Sequence, residues 1–243
     1  MAFSYKGFSD CVRADDGRPV CISEATGGYH FVTEQFLGEY QQQRSRPSVS
    51  FSPAAAGAPT IADVYAMASQ SVVLIVTAAH GTPVGLGSGV VIGHETVVTN
   101  CHVLRGAQEA GVLYNDAIYD RVRVTKSAIE RDLCIIEALG LPAPSIVLGS
   151  TDGIRVGQRV LAIGNPQGLD LTLSEGLVSS LRSDPLERYP LIQTSAAISS
   201  GSSGGALLTE RGVLIGITTL QFVNGQNLNF AVPVDWVREL QNE

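Results

Sequence analysis

Apolar residues in this chain come in short runs broken by glycine and polar gaps, and no long stretch repeats at helical spacing. From Val72 onward the runs fall at Val72–Ala78, Gly87–Ile92, Thr96–Asn100, Val112–Tyr114, Ala117–Thr125 and Asp132–Glu137. They then resume at Arg159–Gly164, Leu171–Leu181, Leu191–Ser195, Gly205–Thr209, Val213–Thr219 and Leu228–Val232. Runs of that length with turn residues between them predict strands. The two groups of six, separated at Leu141-Pro142-Ala143-Pro144, predict an all-β protein of two six-stranded antiparallel barrels. Two places beyond the first 45 residues read as helix. Thr60 can cap Ile61–Ser69, with Asp63 in the first turn, and Pro233 can open a helix over Val234–Gln241, with Trp236 packed on the barrel. Ala79–Gly85 reads as a loop, and Gly93-His94-Glu95 as a hairpin turn with His94 facing solvent.

The first 45 residues carry a different pattern. Half of the phenylalanines and tyrosines lie in the first 40 positions. Phe8–Arg13, Val20–Ser23 and Tyr29–Thr33 predict a small three-stranded meander, with turns at Ala14–Arg18 and Ala25–Gly28, followed by a helix over Glu34–Gln43. With the first turn centred on Asp16, Cys11 and Cys21 face each other across the hairpin. They read as two free thiols or as a disulfide that staples a small module. Residues 46–60 form a Pro/Ala/Ser linker. The chain thus divides into a β-rich extension (1–45), this linker, and a domain over 61–243 with barrels at about 61–140 and 145–233.

Composition narrows the function. The chain has 243 residues, 44% hydrophobic and 16% charged, with 26 glycines and a net charge of −7. An acidic chain without a basic run argues against nucleic acid as a partner. No apolar stretch is long enough for a membrane span. Gly85-Leu86-Gly87-Ser88-Gly89 lacks the lysine of a phosphate loop and is flanked by strands. His30, His80 and His94 have no partners at metal-ligand spacing, so no metal or organic cofactor is expected.

Three places carry candidate chemistry. Gly201-Ser202-Ser203-Gly204-Gly205 sets a serine between glycines, just before the apolar Ala206-Leu207-Leu208. It reads as a plain turn or as a nucleophile whose neighbouring amides, those of Gly201 and Ser203, converge on one spot and hold a developing oxyanion. His102 ends the strand Val97–Asn100, and Asp132 heads a buried strand. A serine hydroxyl needs a base, and the base needs an orienting carboxylate. The chain supplies all three in the order His102, Asp132, Ser203. Cys101 and Cys134 flank the histidine and the aspartate. They read as two buried small side chains or, as the sharper alternative, a redox-sensitive pair.

With these strings in hand, the chain resembles the HtrA/Deg branch of the trypsin-like serine proteases over about Ile61 to Trp236. The resemblance rests on Gly87–Ile92, Thr99–Val103, Val156–Gln158 through Gly164–Pro166, Ser174–Ser179 and Phe230–Pro233. Serines stand at 199, 200 and 202, where the family has Asn, Pro and Asn; the family also has Asp at Ser195 and Pro at Ala206. The resemblance implies a serine endopeptidase for unfolded or misfolded protein, with His102, Asp132 and Ser203 as its triad. Its alternative is a protease fold that rests inactive as a chaperone or peptide-binding scaffold. The resemblance also implies a pocket built from Ala197, Ile198, Ile217, Thr218 and Thr219, with the neighbourhood of Asn229–Ala231. None of these is acidic, so small or medium aliphatic residues are expected before the cut bond. The loops 182–190, 196–201 and 220–227 are expected to switch between ordered and disordered states. N-terminal aromatic segments of the family mediate trimer contacts, so residues 1–45 read either as a homotrimer arm or as a peripheral element on their own barrel. Family members work in the periplasm or another extracytoplasmic compartment, but no basic-then-apolar leader opens this sequence. Many also continue into a PDZ domain, which is expected here to be either absent or removed.

Overall fold

The computed structural model describes residues 8–13, 19–23, 29–31, 59–165, 171–182, 189–221 and 229–243. Among the described residues, sixteen strands and two α-helices form two β units. In the first, β1 (Phe8–Arg13), β2 (Pro19–Ser23) and β3 (Tyr29–Phe31) precede β4 (Val72–Ala79), β5 (Thr82–Gly93), β6 (Thr96–Thr99) and β7 (Glu109–Tyr114). β8 (Ala117–Tyr119), β9 (Val122–Ala128) and β10 (Leu133–Ala138) complete it. The strand order is β3-β2-β1-β8-β7-β4-β5-β6-β10-β9, a ten-stranded half-barrel. In the second unit, β11 (Arg159–Gly164), β12 (Thr172–Arg182), β13 (Leu191–Thr194), β14 (Ala206–Thr209), β15 (Leu214–Gln221) and β16 (Asn229–Pro233) close a six-stranded barrel in the order β11-β12-β13-β16-β15-β14.

The second barrel matches the expected strands closely, whereas the first unit departs in three ways. It carries seven strands over residues 72–138, because the run read as Ala117–Thr125 breaks at Asp120-Arg121 into β8 and β9. It is open in its strand pairing where a closed six-stranded barrel was expected. Third, the segment read as the loop Ala79–Gly85 is a tight hairpin, with Ala79 opposite Thr82. His80 and Gly81 both have positive φ, the geometry whose twist matches two antiparallel strands.

The N-terminal meander forms as expected, with Arg13 opposite Pro19 across the first turn. It joins the same sheet through a parallel bridge, Arg13 to Ala117. Val20 is buried with Leu74, Val76 and Leu113, so β2 covers an apolar outer face of β4 and β7. Cys21 lies opposite Cys11 in register and is disulfide-bonded, which replaces the free-thiol reading. The expected helix over 34–43 and most of the linker lie outside the described residues.

α1 (Ile61–Ala68) starts with a full capping box: Thr60 Oγ1 accepts from the Asp63 amide, and Asp63 accepts from the Thr60 amide. α2 (Val234–Asn242) begins after Pro233 and buries Val234, Trp236, Val237 and Leu240. The largest core cluster joins both helices to Val90, Val98, Leu133 and Ile135 of the first unit and to Leu161, Ile163, Leu208 and Ile217 of the second. The two units therefore share one apolar core.

Candidate active site

His102 sits on a single 3-10 turn, Cys101–Leu104, directly after β6. Asp132 ends another 3-10 turn, Ile129–Arg131, and starts β10 with a left-handed backbone, φ 54°. Because β6 and β10 are antiparallel neighbours, with Thr99 opposite Cys134, the residues just beyond Thr99 and just before Cys134 come together. One Asp132 oxygen accepts the His102 backbone N–H at 2.9 Å, and the other lies 2.6 Å from His102 Nδ1. The Asn100 amide group donates to the Asp132 carbonyl at 2.9 Å. The carboxylate thus fixes the ring from two sides and leaves Nε2 as the free ring nitrogen.

Burial pushes the Asp132 carboxyl upward. The ring, backbone and charge of His102, together with the Thr219 hydroxyl, more than offset that penalty and hold the carboxyl below its ordinary value. Asp132 is therefore an anion wherever the protein is folded near neutral pH, ready to stabilise a positive imidazole.

Cys101 and Cys134 form a disulfide, 4.9 Å between Cα atoms. This corrects the reading of two separate small side chains. The register explains it: the Thr99–Cys134 pairing leaves Cys101 just past the last pair of the ladder, so both sulfurs fall on the same side. The bond ties the residue before His102 to the strand that Asp132 begins.

Ser203 lies between β13 and β14, in a segment held by contacts to both units. The Ser88 N–H donates to the Ser203 carbonyl at 2.7 Å, and the Ser88 hydroxyl donates to the Gly201 carbonyl at 2.8 Å. Ser88 Oγ also accepts from the Asn165 N–H at 2.8 Å. The Ser202 N–H closes a turn onto the Ser199 carbonyl, with Gly201 at φ 90°. Gly204, at φ 86°, has room for no side chain: a Cβ would lie 2.0 Å from the Ser88 carbonyl oxygen. Among the described residues no acceptor takes the N–H of Gly201 or of Ser203.

Thr219, at the end of β15, connects the two halves of the site. Its hydroxyl donates to Asp132 Oδ2 at 3.0 Å, and its carbonyl accepts from the Ser203 hydroxyl at 2.9 Å. Ser203 Oγ thus points to Thr219 and makes no hydrogen bond to His102. Of the other residues expected around the pocket, Ile217 packs in the shared core and the Thr218 hydroxyl donates to the Ser202 carbonyl at 2.6 Å. Ala197 is exposed, and Ile198 is buried beside it. Asn229 starts β16, between β13 and β15, and donates to the Ala196 carbonyl at 2.8 Å.

Sequence reasoning gave no role to Ser88, Thr99, Asn100 or Asn165. The available signal was the placing of small polar residues inside otherwise buried strands, where an unpaired hydroxyl or amide is costly and so points to a partner. Among the described residues, no group of three or more His, Cys, Asp or Glu side chains is placed to hold a metal.

The sequence model of the family described as Trypsin-like peptidase domain matches residues 87–217. The chain belongs to that family. Its relatives place this trypsin-like peptidase domain on the HtrA/Deg branch. It is 37% identical over 167 residues to the putative serine protease HhoA of Synechocystis sp., covering 65% of this chain and 42% of that protein. It is 34% identical over 164 residues to a probable periplasmic serine endoprotease, DegP-like, of Halomonas elongata, covering 65% of this chain and 35% of that one. The chain thus spans less than half the length of these two curated relatives. A solved structure of the HtrA-type protease AlgW with a tripeptide superimposes with a TM-score of 0.67 at 34% identity, covering 76% of this chain and 63% of that one.

Proposed function

We propose that this chain is the catalytic unit of a serine endopeptidase that cleaves unfolded or misfolded protein, with Ser203 as nucleophile, His102 as general base and acid, and Asp132 as the orienting carboxylate. The observation that carries this reading is the double role of Thr219, whose hydroxyl rests on Asp132 and whose carbonyl holds the Ser203 hydroxyl. One residue therefore brings the serine up to the His102–Asp132 pair. Family membership supports the same chemistry.

In the reaction, Ser203 Oγ turns from the Thr219 carbonyl toward His102 Nε2 and attacks the substrate carbonyl carbon. Its proton moves to Nε2, and Asp132 stabilises the imidazolium through Nδ1–H. The carbonyl oxygen becomes an oxyanion and takes the two unpaired N–H groups, of Gly201 and Ser203. The tetrahedral species collapses as the C–N bond breaks, and His102 returns its proton to the leaving amine. Water then enters, loses a proton to His102, and releases the acyl group from Ser203 by the same steps.

The residue before the cut bond faces Ala197, Ile198, Thr219 and Asn229 in this reading. No carboxylate stands among them, so a buried lysine or arginine would lack a counter-charge. Small and medium aliphatic residues are preferred, and a peptide panel cleaved only after basic residues overturns that preference. Residues 61–243 are the peptidase unit and 1–45 an extension. The extension adds strands to its own sheet, which supports a peripheral element over a trimer arm.

The direct test is labelling with a fluorophosphonate, beside digestion of unfolded casein. The wild type is expected to label and to cleave casein, and Ser203→Ala to do neither. A folded wild type that fails both overturns the reading and leaves the scaffold alternative standing.

A further inference from the structure

Thr218 is 1% exposed and lies behind the nucleophile segment, yet every polar atom it has is used on that segment. Its N–H donates to the Gly205 carbonyl at 2.9 Å, and its carbonyl accepts the Gly204 N–H at 2.8 Å. Its hydroxyl donates to the Ser202 carbonyl at 2.6 Å, the shortest of the three. The first two bonds are what a strand beside a turn supplies with any residue. The third needs a hydroxyl.

We infer that Thr218 is a positioning residue for the oxyanion site, and that it acts through the peptide joining Ser202 to Ser203. That peptide is planar and trans, so its C=O and N–H point in opposite directions. Fixing the Ser202 oxygen, which accepts the Thr218 hydroxyl and, from within the turn, the Gly205 N–H at 3.0 Å, therefore fixes the direction of the Ser203 N–H, which is aimed away from Thr218 and takes no acceptor among the described residues. The space behind the segment makes the bond necessary. A cavity of about 110 Å³ lies there, lined by Thr218, Ser202, Ala197, Ile198 and Ser199 among others. The Gly205 bond closes the turn on itself, so the Thr218 hydroxyl is the bond that ties the Ser202 peptide to β15, and the cavity leaves that peptide room to turn once this tie is lost. A turned peptide withdraws the Ser203 N–H and presents a carbonyl oxygen to the developing oxyanion, replacing attraction with repulsion. The other oxyanion donor, on Gly201, belongs to a different peptide and is untouched by Thr218. This inference rests on the serine endopeptidase reading and deepens it.

The experiment compares wild type with Thr218→Val, which keeps the shape and loses the hydroxyl, Thr218→Ser, which keeps the hydroxyl, and Thr218→Ala. All four are checked for folding by circular dichroism, then assayed on an aliphatic peptide p-nitroanilide. T218V is expected to lose about 100- to 1000-fold in kcat, as for loss of one oxyanion donor, with KM within about threefold. Affinity for a peptide aldehyde, whose adduct carries the oxyanion, should fall in parallel, while T218S keeps at least about a third of wild-type kcat. T218A, which cannot overpack the site, should behave as T218V and replaces it if valine does not fold. A purely structural threonine would lower the melting temperature of T218V without this split between kcat and KM. T218V or T218A within about fivefold of wild-type kcat overturns the inference, as does T218S losing as much as T218V. A folded wild type with no turnover overturns the peptidase reading and this inference together, an outcome distinct from an active wild type whose variants are unchanged.

Discussion

Thr219 and Asp132 show how few atoms decide the site. Asp132 receives a ring nitrogen, a backbone N–H and a threonine hydroxyl on two oxygens. An amide in its place has one oxygen to accept and two hydrogens to give, so Asp132→Asn must set an N–H against His102 Nδ1 or its backbone N–H. We predict that D132N folds but loses about 10⁴ in kcat, as in a triad whose imidazole is held in the wrong tautomer, with little change in KM. Steady-state assays on a peptide substrate check this. Gly204→Ala should be worse, because its Cβ would meet the Ser88 carbonyl oxygen at 2.0 Å in a backbone conformation that alanine rarely adopts. Its expected outcome is loss of fluorophosphonate labelling. The serine, histidine and aspartate were legible because their types are required by the chemistry and each stood at the edge of a buried strand. Ser88, Thr218 and Thr219 were not legible in these roles. They act through backbone carbonyls, and no side-chain pattern in a sequence records which carbonyl a hydroxyl will face.

Among the elements, α2 has the widest reach. It follows the last strand of the second barrel, yet it braces the turn that carries Asp132. Arg131, the residue before Asp132, lies with its guanidinium 5.0 Å from the centre of the Trp236 ring and bonds Glu239 at 2.8 Å. The start of the helix is fixed by Asp235, which accepts from the Ser150 hydroxyl and from both the N–H and hydroxyl of Thr151. Burial raises the Asp235 carboxyl, but the Thr151 and Ser150 bonds and the charge of Arg238 bring it below its ordinary value. A carboxyl depressed on folding adds stability above the unfolded value, about 3.9, and that stability is lost as pH falls through the folded value. Asp235→Ala should lower the urea unfolding free energy by about 2–4 kcal/mol at pH 7, and the gap to wild type should shrink only below about pH 4. This helix was legible through Pro233 and Trp236, and the strands of the second barrel through their apolar runs. The break at Asp120-Arg121 and the hairpin at His80-Gly81 were not legible. Each turns on two residues, too short a signal for a pattern of alternation to carry.

At the scale of the whole molecule, the site belongs to neither unit alone. Residues 96–138 bring His102 and Asp132, residues 195–219 bring Ser203, and Ser88 joins them through bonds to Ser203, Gly201 and Asn165. The Cys101–Cys134 bond stiffens the first of these contributions. Closing a segment of 33 residues, it is worth about 3–4 kcal/mol by loop entropy. The double variant Cys101→Ala/Cys134→Ala should unfold at correspondingly lower urea, and wild type unfolded in the presence of reductant should fall at least as far, because reductant also opens the disulfide at Cys21. Equal midpoints with and without reductant would show that the bond adds nothing. The contact through Ser88 has a further consequence, for how the protein fails under heat. A slip of a few tenths of an ångström between the units leaves every strand paired, yet it removes the hydrogen bonds by which Ser88 holds the Gly201 and Ser203 carbonyls, and so loosens the segment that carries the Gly201 and Ser203 amides. Turnover should therefore fade several degrees before the circular dichroism signal does and return on cooling, so that peptidase activity serves as a thermometer of the seam between the units.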